Sequence, residues 1–418
     1  MAPPAEHASL AAYQWLVGPE GRKLLDQLEG QDPLAARLVA RLHQELGPER
    51  AAVVIQQLQL RPRAREKFPM AQAMFFTRRG LEQATDWAVA CYKARRFPRG
   101  ESRADLCCGL GGDALGLATT GPVLAVDRDP VCCLLAEANL AAARDFLRKQ
   151  HPPQELFPVE VQCRDVLQAK LGQQAAWHLD ADRRIGGKRV YRQQQTALGW
   201  QTVEELLRRN PHGAVKLSPM DEPPLEWEPR ATWEWISRSG HCRQLVAWFG
   251  SLAPAPGERI ATRLLPAGAV SFQGVPLPAQ EAALGIRRYL YEPDPAVLAA
   301  GLEYALAAHL HLAAVAPGGV YLTGEEPVEH ALLAGFEVLE VLPFDRRQLK
   351  RTLSRGDYRV VEVKKRGVDV SPEELLRKFR KRGSRDVVLV LARVVDRVLA
   401  ALCRRLPRSS KKGRDCPQ

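Results

Sequence analysis

The chain has 418 residues, 46% hydrophobic and 26% charged, with a formal net charge of +12. That length exceeds one ordinary core and predicts roughly two to four domains, and the composition excludes a disordered or fibrous chain. No apolar run reaches membrane-spanning length, MAPPAEHASLAAYQWL lacks the basic start and apolar core of a signal peptide, and nine cysteines without a C-x-x-C pair suit buried thiols in a reducing cytoplasm.

Residues 1–98 read as helical, with amphipathic stretches at 35–46 and 81–94. An α/β pattern begins near Ser102. A short strand ends on Asp105 and leads into Cys107-Cys108-Gly109-Leu110-Gly111-Gly112. A helix over 113–118 follows, then the strand 123–127 ending on Asp127, and a helix over 130–148. After a loop with His151-Pro152-Pro153, further strands are predicted at 158–163, followed by Asp165, and at 175–179, followed by Asp180. A helix at 203–209 and strands at 213–217, 232–237 and 243–249 complete a sheet of five parallel strands with a late hairpin. The Pro- and Gly-rich stretch 251–285 reads as irregular strands and a linker. Beyond it lie a helix at 295–313, strands at 319–323 and 336–341, a helix at 346–353, a strand at 358–364, a helix at 372–381 and a strand at 386–394. The tail after Leu406 reads as disordered.

Strand, glycine turn, helix, strand and acid form a nucleotide-binding βαβ unit. Gly109 and Gly111 let the backbone approach a ligand, because no Cβ intervenes. Two ligands compete. Gly109-Leu110-Gly111-Gly112-Asp113-Ala114 satisfies the G-x-G-x-x-A form of the dinucleotide fingerprint. Asp105 opposes NAD, because its charge would face a pyrophosphate. S-adenosyl-L-methionine has no phosphate, and its methionine ammonium favours an anion there. In the methyl-donor reading Asp105 holds that amine, Asp127 the ribose hydroxyls, and Asp165 with the Val166 backbone the adenine amine. Asp180 lies nearest the sulfonium methyl and is the candidate catalytic residue. Each acid alone is also an ordinary helix N-cap. Methyl transfer needs orientation and exclusion of water rather than a covalent nucleophile. No metal site is expected: His309 and His311, two apart in a helical pattern, point to different faces.

The excess positive charge is confined to the end of the chain. Between Val341 and Gln418 stand 23 Lys and Arg against 9 Asp and Glu, whereas the other 340 residues carry 37 basic and 39 acidic side chains. A basic module on a neutral body suits a polyanion, most simply nucleic acid; a solubilising surface or an arginine-rich composition produces the same count. Arg183, Arg184, Lys188 and Arg189 fit substrate phosphate or local salt bridges equally well.

The stretch from Asp105 to Asn139 resembles class I methyltransferases of the RNA-modifying type, in which the first motif glycine is often cysteine, as at Cys107; the trimethylguanosine synthase group has a similar Cys-Gly-x-Gly-Gly turn. Most of the chain is similar to a bacterial family of methyltransferases with a C-terminal THUMP-like domain. That resemblance rests on Phe76-Thr77, Leu81-Glu82-Gln83-Ala84-Thr85, Asp180 to Arg184, Val215-Lys216-Leu217-Ser218-Pro219, Tyr291-Glu292-Pro293-Asp294-Pro295-Ala296, Lys364-Lys365-Arg366-Gly367-Val368 and Pro372-Glu373-Glu374-Leu375. It implies an N-terminal helical cap (1–98), a Rossmann-like class I methyltransferase domain (99–285), a small ferredoxin-like α+β domain (286–335), a basic THUMP-like α+β domain (336–405) and a tail (406–418). It also implies a cytoplasmic S-adenosylmethionine-dependent enzyme. RNA is the expected partner, met by Lys364, Lys365, Arg366 and neighbouring cations. The chain departs from the family at Ala181, where a proline is usual, and at Cys242-Arg243-Gln244, where a more acidic stretch is usual. The departure at Ala181 keeps open a rival reading, a non-catalytic RNA-binding protein on a methyltransferase scaffold.

Overall fold

The computed structural model describes residues 8–150, 155–180, 184–185, 188–189, 199–279, 283, 285–316, 320–379, 383–394 and 396–407. The loop at His151, the Ala181–Arg183 stretch, Gly319, Lys381 and the tail from Arg408 fall outside them, as do the side chains of Arg184, Lys188 and Arg189. The chain forms two compact units: Met1–Leu217 with Asp221–Ala231 and Val246–Pro256, and Ser218–Met220 with Thr232–Leu245 and Gly257–Gln418.

The first unit begins with helices α1 (Leu10–Val17), α2 (Pro19–Gln27), α3 (Ala36–Leu46), α4 (Pro48–Ala64), α5 (Arg78–Gln83) and α6 (Trp87–Ala94). The predicted helix 81–94 is therefore two. Ala84 takes an extended backbone after α5, and the Asp86 side chain accepts from the Val89 N–H to start α6 afresh. The α/β part comprises β1 (Arg103–Leu106), α7 (Gly112–Leu117), β2 (Val123–Asp127), α8 (Pro130–Arg148), β3 (Val159–Cys163) and β4 (Ala176–Leu179). A small antiparallel ribbon, β5 (Arg184–Ile185) with β6 (Lys188–Arg189), precedes α9 (Trp200–Arg209) and β7 (Gly213–Leu217). The parallel strands lie in the order β7-β4-β1-β2-β3. The connections reverse direction between β1 and β4, and a doubly wound sheet binds its ligand at that switch point.

The helical segment shares one core with the α/β part: Leu16, Leu42, Val54 and Phe76 cluster with Leu110, Leu115, Leu135 and Leu147. Between them runs the extended backbone of Met74, Phe75 and Phe76, fully buried and outside any ladder. Buried backbone polar groups must find partners, and three side chains supply them. Gln57 donates to the Phe76 carbonyl (2.7 Å) and accepts from its N–H (2.8 Å). Arg61 donates to the Met74 carbonyl (3.0 Å). Asn139, on α8, accepts from the Phe75 N–H (2.7 Å) and donates to the carbonyls of Phe75 (3.1 Å) and Leu110 (3.1 Å). One amide thus joins the helical segment to the glycine turn.

Strand β8 (Ala231–Arg238) and the first part of β9 (His241–Phe249) open the second unit. The predicted linker contains a regular hairpin: β10 (Arg259–Leu265) pairs antiparallel with β11 (Gly268–Gly274) and parallel with β8. Then come β12 (Tyr289–Pro293), α10 (Pro295–Ala300), α11 (Glu303–His309), β13 (Ala313–Ala314), β14 (Leu322–Gly324) and β15 (Leu333–Pro343). The predicted helix 295–313 breaks at Gly301, whose left-handed backbone (φ 67°) caps α10. The unit ends with α12 (Arg346–Arg355), β16 (Tyr358–Arg366), α13 (Pro372–Phe379), β17 (Arg385–Val394) and β18 (Arg397–Arg405). The expected ferredoxin-like and THUMP-like segments share one seven-stranded sheet, β13-β14-β12-β15-β18-β17-β16. On one face Leu349, Leu353, Leu375 and Phe379 from α12 and α13 pack on Val360, Leu389 and Leu402. Among the described residues no helix is long and apolar enough to cross a membrane.

Asn139→Ala strips the Phe75 N–H and two carbonyls of a buried partner. It is expected to cost about 3 kcal/mol, seen as a lower urea midpoint with an unchanged slope. An unmoved midpoint would mean that water or a local shift re-satisfies that backbone.

Candidate active site

At the end of β1 the backbone of Cys107, Gly109 and Gly111 turns left-handed, with φ of 61°, 82° at Gly111 and 52° at Gly109. Glycine takes this region freely, and a side chain costs roughly 1–2 kcal/mol there. A Cβ added at Gly109 would meet nothing within 4 Å, so the turn leaves open space where a ligand can approach. The Gly109 N–H points instead to Asp127, donating to Oδ2 at 2.9 Å, while Oδ1 of Asp127 accepts from the Asp129 N–H at 3.0 Å. These two backbone donors orient the carboxylate at the tip of β2.

Asp105 has no exposed surface. It stands beside His178 in the β1–β4 register, and His178 Nδ1 lies 2.8 Å from its Oδ1. Its Oδ2 is buried without a hydrogen-bond partner. Burial pushes the Asp105 carboxyl above its usual range, against the hydrogen bond from His178 and the charge of Lys93, and Asp113 adds to the rise. The far nitrogen of His178, Nε2, is 2.9 Å from Lys93 Nζ, which pairs with Asp113 Oδ1 at 2.6 Å. Thr85 donates to Asp113 Oδ2 at 2.7 Å. Burial would raise Asp113 too, but the charge of Lys93, the largest opposing cause, prevails and holds it well below the carboxylate range. Lys93, Asp113 and Thr85 are not singled out by the sequence, and His178, alternating with apolar neighbours in a strand, reads as structural. The available signal is positional: a charged or titratable residue at alternate sites in two apolar strands that pair in register.

Asp165 caps the short turn Val166–Gln168, accepting from the Leu167 N–H at 2.9 Å, and Val166 is buried beside it. Asp180 follows β4, and its Oδ2 pairs at 2.5 Å with Lys216 of β7; Lys216 also donates to the Gln83 carbonyl at 3.2 Å. Lys216 is thus a site residue that spacing alone does not reveal. Burial pushes the thiols of Cys107 and Cys108 upward, with Asp127 and Asp105 adding to it, so both are neutral and ill suited to nucleophilic attack. In the basic module Lys364 pairs with Glu292 (2.6 Å) and Glu362 (3.4 Å), and Arg366 with Glu292 (3.5 Å). The cluster expected to meet RNA is therefore largely neutralised in place.

The buried orphan oxygen of Asp105, the open glycine turn and the oriented carboxylate of Asp127 fit an adenosine carrying an amino acid. Residues 333–405 match the model of a family described as THUMP domain-like, and residues 9–64 match a domain of unknown function. The chain is 31% identical over 340 residues to an uncharacterized S-adenosylmethionine-dependent methyltransferase of Mycobacterium tuberculosis, covering 79% of this chain and 88% of the relative, with the same figures in strains CDC 1551 / Oshkosh and ATCC 25618 / H37Rv. A solved structure from Porphyromonas gingivalis W83, assigned as a methyltransferase, matches with a TM-score of 0.73 at 21% identity, over 97% of this chain and 100% of that one. At that identity the likeness is one of fold. The chain belongs to the S-adenosylmethionine-dependent methyltransferases, with a class I fold and a THUMP-like C-terminal segment.

Cys107→Gly relieves a left-handed side chain and is expected to raise stability by about 1 kcal/mol, read as a higher urea midpoint. A lower midpoint would show that packing of the buried sulfur outweighs the backbone term.

Proposed function

We propose that this methyltransferase acts on RNA and docks it through the basic C-terminal module. The observation that carries the reading is the exposed face of α12. Arg347 stands one turn before Lys350 and Arg351, all three are exposed, and none is paired with an acid among the described residues. Three cations at helical spacing track a phosphate backbone. The THUMP domain-like match over the same segment and the charge concentrated after Val341 support this reading.

In this proposal Asp127 binds the ribose hydroxyls, Asp105 the methionine ammonium, and Asp165 with the Val166 backbone the adenine amine. Cys107, Gly109 and Gly111 form the turn against which the cofactor lies. S-adenosylmethionine supplies an activated methyl group when bound, and its transfer is an in-line displacement. The chain then has to orient the nucleophile and keep water out. Asp180 is placed to accept a hydrogen bond from the incoming nucleophile, and Lys216 holds its carboxylate in position.

Asp127→Ala should lower affinity for S-adenosylhomocysteine on the order of 100-fold, since two hydrogen bonds to a charged group are lost. Asp127→Asn keeps an acceptor for the Gly109 N–H and separates ribose recognition from support of the turn. Unchanged affinity in calorimetry would remove Asp127 from the cofactor site.

Reversing Arg347, Lys350 and Arg351 to Glu should weaken binding of structured RNA and flatten its log–log salt dependence by about two to three, at roughly 0.7–0.9 per phosphate contact. Cofactor affinity should stay as in the unmodified protein. Filter binding across a salt series reads the slope, and transfer of labelled methyl to RNA tests the substrate. An unaltered slope, with no label in RNA, would overturn the proposal.

A further inference from the structure

Four ionisable side chains lie out of water where β1, β4, α6 and α7 meet: Asp105 (0% exposed), His178 (1%), Lys93 (1%) and Asp113 (6%). Their hydrogen-bond chemistry fixes the protons. A lysine ammonium can only donate. With Lys93 Nζ 2.9 Å from His178 Nε2, that nitrogen must accept, so the imidazole is neutral and carries its proton on Nδ1. Nδ1–H then donates to Asp105 Oδ1 at 2.8 Å. Lys93 balances Asp113, and nothing balances an ionised Asp105. One excess negative charge, with Oδ2 unpartnered, is held in the interior. Burying an uncompensated charge is costly, so this position favours a cation or a proton.

We propose that Lys93 and His178 are positioning residues for the amino-acid end of the cofactor: they fix Asp105 so that its second oxygen receives an ammonium group. The site thereby prefers an adenosine thioether that carries an amino group over the same nucleoside without one. This rests on the cofactor placement proposed above and adds two residues, neither a ligand itself, that decide which nucleosides are retained. Lys93 sits on a helix of the N-terminal segment and His178 on β4, so the preference depends on both parts of the unit.

Cation and proton compete for one place, which gives a pH signature. Protonating Asp105 removes the charge that attracts the ammonium. Asp113, held low chiefly by Lys93, and the thiols of Cys107 and Cys108, held high by burial, keep their protonation states throughout. Affinity for an ammonium-bearing ligand should therefore fall as pH falls through the range of the raised Asp105 carboxyl, and the lost affinity should appear as protons released on binding.

The test compares three probes by calorimetry on the full chain. These are S-adenosylhomocysteine, its decarboxylated analogue, which keeps the ammonium, and 5′-methylthioadenosine, which has neither ammonium nor carboxylate. His178→Leu should weaken the first two about tenfold or more and leave the third within about twofold. His178→Asn, which retains a donor for Asp105, should recover most of the loss. Equal weakening of all three probes, or of none, overturns the proposal. Should His178→Leu not fold, the unmodified protein decides alone. Equal affinity for the decarboxylated analogue and methylthioadenosine at neutral pH overturns it. Failure of the unmodified protein to bind any of the three would instead refute the cofactor placement.

Discussion

Lys93 and Asp105 can both lie in the interior only because His178 stands between them and Asp113 pairs with Lys93. Removing one partner from such a buried set typically costs about 3–5 kcal/mol, comparable to much of a domain's net stability. The arrangement constrains the chain in several places at once. It requires α6 to lie close to α7, which the contact of Gly116 with Ala90 permits: a Cβ at Gly116 would fall 2.4 Å from the Ala90 backbone. It requires β4 beside β1 in the register that sets Asp105 opposite His178. The helical N-terminal segment is consequently part of one unit with the α/β sheet rather than an appendage, as the shared core and the Asn139 bridge also indicate.

Local order was legible where local chemistry dictates it. The segment 130–148 is a helix with the bounds its pattern implies, because Asp129 caps it and Pro130 occupies its first position. The βαβ unit announces itself through its glycines and through apolar runs that end on acids. Breaks within helices were less visible. Asp86, followed by Trp87 and Ala88, reads as one polar position in a continuous helix until its cap to Val89 is seen. The Pro and Gly content of 251–285 suggests a linker, although Pro266 and Ala267 only turn the chain between two strands of alternating burial. Least legible were the partners of buried charges. Lys93 meets His178 across 85 residues of sequence, and no spacing rule reaches that far.

The acids at the strand ends show why ligand and cap readings need not exclude each other. An ionised carboxylate offers about four acceptor positions. Asp127 gives two to the N–H groups of Gly109 and Asp129, which fixes its direction and leaves capacity for a ligand. Asp165 gives one to its own turn. Asp180 is committed to a cation, Lys216, so its carboxylate is restrained in place. Structural engagement of this kind costs an acid little and holds its geometry fixed before any ligand arrives, which is what a preorganised site requires.

Charge counting locates a module but not a face. The residues after Val341 are strongly basic in sum, and Lys364-Lys365-Arg366 is one of their runs of consecutive cations. Glu292, on a strand that is not a neighbour of β16 in the sheet, accepts both Lys364 and Arg366. Those side chains therefore secure the sheet, with the Lys364 head only 21% exposed. On α12 the reverse holds. Leu349, Thr352 and Leu353 turn inward, and the cations between them are left on the outside without competing acids of their own helix. A phosphate approaching Lys364 or Arg366 on β16 would have to displace a carboxylate. A phosphate approaching α12 would displace only water and counterions, whose release is itself the main source of affinity for a polyanion.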